Sequence, residues 1–138
     1  MQCVRFLLLV AAAAVGFAGC TKSPIKLYPV KGKVLFQEQP AEGAQIVFQP
    51  TQGATPQSPL AYGTVESDGA FALHTDPYGN GAAAGDYVVM VTWYAAHPRD
   101  PEKKFNRLPA KYADPATPLV KATVKEGSND LEPFRLKP

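Results

Sequence analysis

From Pro29 onward apolar and polar residues alternate with a period of two, and Gly, Pro, Asp and Asn break the alternation every ~8–12 positions. Successive side chains of a strand point to opposite faces, so this pattern predicts a series of short, half-buried strands. Val30, Gly32, Val34 and Phe36 share one face, with Lys31 and Lys33 on the other. Ala44, Ile46 and Phe48 alternate with Gln45 and Gln49. A third run, Ala61 to Glu66, meets Ser67-Asp68-Gly69, a hairpin signal because Gly accepts positive φ and Asp tolerates it. The predicted return strand places Phe71 and Leu73 on one face. Gly85 to Tyr94 sets Tyr87, Val89, Val91 and Trp93 against Val88, Met90, Thr92 and Tyr94; apolar on both faces, it is predicted to lie centrally. Leu119 to Lys125 bears lysines on one face and suits an edge. Leu131 to Leu136 closes the pattern, with Phe134 and Leu136 facing the core and Pro133 marking an edge or a bulge. Seven such segments predict an all-β, two-sheet sandwich over residues 29–138. Ala82-Ala83-Ala84, flanked by Gly79, Gly81 and Gly85, reads as a loop.

Composition fits that architecture. Of 138 residues, 14 are Pro and 11 Gly, and the Pro share is about twice the usual ~5%. With 46% hydrophobic residues the excess is turn punctuation rather than disorder, and the length suits one domain. The net charge is +2, and Arg5 is the only charge among the first nineteen residues, so without them it falls to +1. That is no electrostatic footprint for nucleic acid.

The first twenty residues, MQCVRFLLLVAAAAVGFAGC, have a different grammar. One cation precedes an apolar run from Phe6 to Val15, which meets small residues and a cysteine; this order is a secretory signal, too short to span a bilayer. Phe17-Ala18-Gly19-Cys20 resembles the lipobox of bacterial lipoproteins. The resemblance implies cleavage between Gly19 and Cys20, thioether diacylation of Cys20 and acylation of its new amino group. Cysteine usage agrees with it, because Cys3 lies inside the signal and Cys20 would stand alone in the mature chain, with no disulfide partner. Thr21 at the next position favours outer-membrane delivery by resemblance to the sorting rule of such lipoproteins. The expected organisation is therefore a signal peptide (1–19), a lipidated cysteine and tether (20–28) and a β-domain (29–138).

Chemistry-bearing residues are sparse. Two expected loops, Pro50–Pro59 and Ala95–Thr117, are long enough to carry function; Phe105, Leu108 and Tyr112 would pin the second to the domain. His74 and His97 are the two histidines, and no Gly-x-Ser-x-Gly elbow accompanies them, so no catalytic residue is assigned. No zinc-ligand spacing is present; Asp68, Asp76, Asp86, Asp114 and Asp130 sit in or beside turns without a dense calcium loop, and no cofactor or metal is expected. Lys33 and Asn129, with Glu66 as acid, are candidates for an isopeptide cross-link of the kind found in adhesin-type sandwiches. Trp93, Tyr94, Tyr78 and Tyr62 are candidates for an aromatic platform; Trp93 has core spacing, and Tyr78 and Tyr94 are the better exposed of them for a ligand or partner.

Gly32-Lys33-Val34, Gly43-Ala44-Gln45-Ile46-Val47-Phe48-Gln49-Pro50, Asp68-Gly69-Ala70-Phe71, Gly85-Asp86-Tyr87-Val88-Val89-Met90-Val91, Leu108-Pro109-Ala110-Lys111-Tyr112 and Gly127-Ser128-Asn129-Asp130-Leu131 together resemble one family. It is the small bacterial lipoproteins of planctomycete type described as carboxypeptidase regulatory-like or transthyretin-like domain proteins. The resemblance implies a seven-stranded immunoglobulin-like or transthyretin-like β-sandwich at the cell envelope. It implies a noncatalytic structural or protein-interaction role, anchored in membrane lipid through Cys20, with an envelope protein as partner. The alternative is a carbohydrate-binding module that takes a glycan on Tyr78 and Tyr94. Hydroxyisourate hydrolysis is not implied, because the chain ends Phe134-Arg135-Leu136-Lys137-Pro138 instead of in the Tyr-Arg-Gly-Ser pattern of that enzyme.

Overall fold

The computed structural model describes residues 25–53, 55 and 58–138, so Gly19, Cys20 and the signal segment lie outside the described residues. The chain is all-β. Its strands are β1 (Val30–Phe36), β2 (Gln39–Pro40), β3 (Gln45–Pro50), β4 (Ala61–Thr64), β5 (Ala70–Ala72), β6 (His74–Thr75), β7 (Gly79–Asn80), β8 (Gly85–Thr92), β9 (Tyr94–His97), β10 (Asp100–Asn106), β11 (Val120–Val124), β12 (Asn129–Asp130) and β13 (Phe134–Leu136). A single 3-10 turn, Ala110–Ala113, is the helical content of the described residues. Thirteen strands therefore replace the seven expected among those residues, because the longer runs break wherever the chain changes partners.

One sheet is built on β1. Along one edge β12 and β13 pair with it in parallel; along the other β5 and β2 pair antiparallel. Val30 lies opposite Asn129 but Val34 opposite Phe134, so three residues, Leu131 to Pro133, span two of β1. That is the bulge predicted at Pro133, whose nitrogen cannot donate to the ladder. Gly32 sits where a Cβ would come within 2.8 Å of the Phe71 ring, so the small residue lets that ring lie flat on β1.

The second sheet runs β11-β8-β3-β4-β6-β7. β8 is interior and β11 is an edge, as the residue pattern predicted. The Asp68-Gly69 turn also forms: Glu66 N donates to Ala70 O, Gly69 N to Glu66 O, and Ala70 N to the Asp68 carboxylate. No long hairpin follows it, however. β4 stays with β3, whereas β5 crosses to β1, and the chain returns to the second sheet only at β6. Burying Phe71 between the sheets requires the crossing, since Phe71 pairs with Gly32 on one side and meets Phe48 and Phe134 on the other.

The core lies between these two sheets. Phe48 of β3 contacts Phe71, Tyr87 and Phe134, with ring centroids at 6.3, 5.6 and 6.3 Å. Val30, Val34, Ile46, Val65, Val91 and Val124 are buried around it. Apolar burial of about 1.5–3 kcal/mol per side chain at this centre is the main favourable term of the fold.

The expected loop Ala95–Thr117 is ordered differently from its prediction. β9 and β10 form a two-stranded sheet that pairs with no other strand of the described residues. After it Leu108 and Tyr112 are buried and do pin the chain, the Tyr112 hydroxyl donating to Lys137 O at 2.9 Å and accepting from Lys137 N at 2.8 Å. Phe105 is exposed on β10 instead.

Candidate functional site

The molecule has two dissimilar ends, and the path of β8 measures the distance between them. Tyr28 pairs with Ala82, and Ile25 and Leu27 line an apolar cleft with Pro50, Pro59, Ala61 and Tyr87. The described chain therefore begins at the end of the sheets marked by Pro50 and Tyr87, which are register partners. The cleft holds about 170 Å³, below the ~300 Å³ that small-molecule sites usually reach. The Tyr87 hydroxyl donates to Ala83 O at 2.6 Å, and burial pushes its phenol above the ordinary value of 10. This group closes the end of the barrel-like core and is fully used in doing so.

From Tyr87 the strand runs the length of the core to Trp93 and continues into β9. Ten residues from Tyr87 to His97, at ~3.3 Å each, span roughly 33 Å. Trp93 marks where the core ends. Its ring meets Phe36 edge-on at 6.3 Å, its indole nitrogen donates to Glu42 O at 2.7 Å, and the Arg107 guanidinium lies 3.8 Å over its face. Trp93 is thus a packed residue, as its spacing predicted, with one face covered by a cation rather than open to a ligand.

Beyond Trp93 the chain projects as the β9–β10 hairpin. Ala95 pairs with Phe105, and the His97 ring lies edge-on to Phe105 at 5.8 Å, so one face carries Trp93, Arg107, Ala95, Phe105 and His97 in a row. Tyr94 and Ala96 face the opposite way. The register shifts between Asp100 and Lys104, a bulge that accommodates Pro101 in β10. Arg99 N donates to His97 Nδ1 at 3.2 Å and closes the tip.

Tyr94 is 60% exposed on this hairpin, and Tyr78 is 39% exposed in the turn between β6 and β7. Both are surface aromatics, as expected. They do not share a platform. Thr92 is level with Gln45 and Thr64 at one end of the second sheet, whereas Thr75, before Tyr78, lies beyond the Tyr62–His74 pair toward the other end. Tyr78 instead neighbours a group built on Tyr62, another aromatic of the expected platform. On the outer face of β4 and β6, Tyr62 packs edge-on against His74 at 4.0 Å and donates its hydroxyl to Asp76. That hydrogen bond first, then burial and the carboxylate's charge, hold the Tyr62 phenol above its ordinary value of 10. His74, expected as a lone exposed strand residue, is half-buried in this pair, with Asn80 on its far side. The alternation of Tyr62 and Thr64 against Ala61 and Gly63 puts the phenol outward.

The remaining candidates have structural duties. Asn129 is 8% exposed; its Oδ1 accepts from Lys125 N, and its Nδ2 donates to the carbonyls of Lys125, Gly127 and Pro29. Lys33 is exposed on β1 three residues beyond Val30, the register partner of Asn129, and Ala70 is its own antiparallel partner. The two groups of the expected isopeptide are therefore not juxtaposed, and Asn129 closes a turn. Asp68, Asp86 and Asp114 accept hydrogen bonds from Ala70 N, Thr123 Oγ1 and Ala116 N. Among the described residues no three His, Cys, Asp or Glu side chains gather as a metal site.

No family model matches the chain, and no curated protein matches it. The crystal structure of a 9R-lipoxygenase from Cyanothece PCC8801 is similar over 84% of this chain, with 15% identity and a TM-score of 0.43. The chain spans 18% of that protein's length.

Proposed function

We propose that this protein is a lipid-anchored module of a bacterial cell envelope that presents the β9–β10 hairpin to another macromolecule, without catalysing a reaction. The observation that carries the reading is the polarity of the molecule. The described chain begins, with Ile25 and Leu27, at the Pro50–Tyr87 end, and the β9–β10 ribbon, which pairs with no other strand of the described residues, stands at the other end, an extended-chain length of roughly 33 Å away. A domain tethered at the first end holds the hairpin away from the membrane. Acyl chains at ~0.8 kcal/mol per buried methylene supply a stable anchor. On this reading residues 1–19 are a signal peptide and 20–28 the lipidated cysteine and tether. Residues 29–138 form an immunoglobulin-like or transthyretin-like β-sandwich of the carboxypeptidase regulatory-like kind, in the outer membrane. Two facing sheets around one core support the sandwich, and the lipobox supports the anchor. Mass spectrometry of the membrane-extracted protein tests it. An N-terminal peptide beginning at Cys20 and carrying acyl chains is expected; an unmodified Cys20 refutes the anchor. For the hairpin, photo-cross-linking from Phe105 in intact envelopes is expected to give adducts that the same probe at Lys121 does not.

A second reading, glycan binding, is favoured by one group only. Tyr62, His74, Asp76, Asn80 and Tyr78 combine aromatic faces with polar acceptors and donors at one end of a sheet, the mixture that holds a sugar ring. Tyr94 is excluded from it by position. Polysaccharide retention abolished by Tyr78→Ala but untouched by Tyr94→Ala supports this reading; no retention by the wild-type chain ends it.

A further inference from the structure

An exposed strand edge is a template for another strand, and soluble proteins defend such edges. Nearly every open edge here is defended. β11 carries Lys121 and is followed by Lys125; β2, β5 and β7 are two or three residues long; the β12–β13 edge is bent at Pro133; β10 carries a bulge, Pro101, Glu102, Lys103 and Lys104. The exception is β9, Tyr94-Ala95-Ala96-His97, which has no Pro, no Lys and no acidic residue.

The direction of its backbone groups follows from the ladder. Trp93 O accepts from Arg107 N at 2.7 Å and Trp93 N donates to the Asn106 side chain, so both groups of Trp93 point toward β10. Alternate residues of a strand turn their N–H and C=O to opposite edges, so Ala95 and His97 also address β10, and Tyr94 and Ala96 address the open edge. β3, the neighbour of β8 on that side, begins only at Gln45 opposite Thr92 and does not reach them.

We propose that this edge pairs with a second copy of the same chain, β9 against β9 in antiparallel register, about a twofold axis through Ala95. The proposal rests on the interaction reading of the hairpin and names its partner. The pattern of outward groups fixes the register: Tyr94 of each copy must face Ala96 of the other, which leaves Ala95 opposite itself. That non-hydrogen-bonded position brings Cα atoms to ~4.5 Å, a spacing that suits a methyl side chain. The Tyr94 ring, largely exposed in the single chain, then covers the small Ala96 of the other copy on one face. Electrostatics permit it as well. β9 bears no formal charge, and the β10 strands of the two copies, in each of which Asp100 and Glu102 balance Lys103 and Lys104, stand three strand spacings apart, ~14 Å, beyond the ~8 Å screening length of physiological salt. Self-pairing of β11 would instead set lysines against lysines. A foreign peptide meets none of these constraints of symmetry, and anchoring both copies in one membrane raises their effective concentration.

The test is disulfide trapping in the full-length, membrane-resident chain. Ala95→Cys places two thiols within the Cα range of a disulfide, ~4.4–6.8 Å. Mild oxidation is expected to give a covalent dimer of twice the mass of the chain as extracted from the membrane, about tenfold more than Lys121→Cys on the β11 edge, as expected for preformed rather than collisional contact. The otherwise wild-type chain sets the background from any thiol outside β9. Adding Ala96→Pro, which removes an outward N–H, is expected to return Ala95→Cys to the Lys121→Cys level while the Trp93 emission stays unchanged. If that emission shifts, Tyr94→Lys replaces it, setting two ammonium groups across the axis with the backbone intact, and the same loss is expected. Trapping no greater than Lys121→Cys, trapping insensitive to these edge variants, or an adduct of any other mass overturns self-pairing. If self-pairing fails while the Phe105 cross-links persist, this inference alone falls; if both are absent, the interaction reading falls with it.

Discussion

Asn129→Ala should cost far more stability than an exchange in a surface turn ordinarily does. The side chain is buried where the Lys125–Asn129 turn meets the start of β1, and it makes bonds of 2.8 Å with Lys125 N, 2.8 Å with Lys125 O and 3.2 Å with Gly127 O, besides a longer one of 3.4 Å with Pro29 O. At ~0.5–1.5 kcal/mol net per neutral hydrogen bond, losing the three shorter ones removes about 1.5–4.5 kcal/mol. That is a large part of the ~5–15 kcal/mol that holds a domain of this size together. In urea, with m of ~1.5 kcal/mol/M, the unfolding midpoint moves down by roughly 1–3 M. Asn129→Asp sharpens the test. The new carboxylate keeps an acceptor for Lys125 N but turns an oxygen, not an N–H pair, toward three carbonyls. Those carbonyls favour the protonated acid, so its folded pKa lies above its unfolded one. The penalty is present at neutral pH and is relieved as pH falls through the folded value. Urea midpoints for both variants at pH 7 and pH 4.5 decide it. An alanine midpoint within ~0.3 M of wild type, or an aspartate variant indifferent to pH, would refute the assignment of Asn129 as a turn-closing group.

Phe48→Ala, at the meeting point of the two sheets, is expected to lose ~3–5 kcal/mol in urea unfolding; a loss below ~1.5 kcal/mol would mean that the sheets do not share one core. Asp76→Asn should return the Tyr62 phenol toward 10, read as one tyrosinate transition moving down in an absorbance titration. The raised folded pKa contributes stability that is fully present below about 10 and is lost as pH rises through the folded value, so the wild type should weaken more across that alkaline window than the variant, which keeps the Tyr87 contribution. Arg107→Ala uncovers the chain's one tryptophan, so Trp93 emission should shift red with ~0.5–1 kcal/mol lost; unchanged emission contradicts the stacked geometry.

Period-two alternation made the strands readable because burial on one face leaves its mark residue by residue, as in Val30, Val34 and Leu136. It also located β8 in the interior, β11 at an edge and the bulge at Pro133. Pairing partners left no such mark. Phe71 and Leu73 alternate as one strand, yet β5 belongs to one sheet and β6 to the other. Nothing local to those residues records that Gly32 leaves room for a ring from across the molecule. The β1–β2 turn was equally opaque: Gln37 and Glu38 both take positive φ, 52° and 63°, where Asn-Gly is the usual chemistry. Tertiary contacts, including the Glu38–Arg135 ion pair, hold a conformation the two residues do not prefer on their own.

The hairpin escaped the pattern for a reason that bears on function. Hydrophobic alternation reports burial against the chain's own core, and β9 and β10 bury little there; Glu102, Lys103 and Lys104 are exposed beside the bulge. A two-stranded ribbon of this kind is marginal by itself and is held here at its base, by Arg107 on Trp93 and by Asn106 bridging Trp93 N and Leu108 N at 2.9 and 3.1 Å. Its charged outer strand resists chance pairing, while its inner strand is short, uncharged and unguarded. The segment least legible from burial is thus the one where a partner's surface, rather than the chain's own interior, would complete the alternation of Tyr94, Ala95, Ala96 and His97.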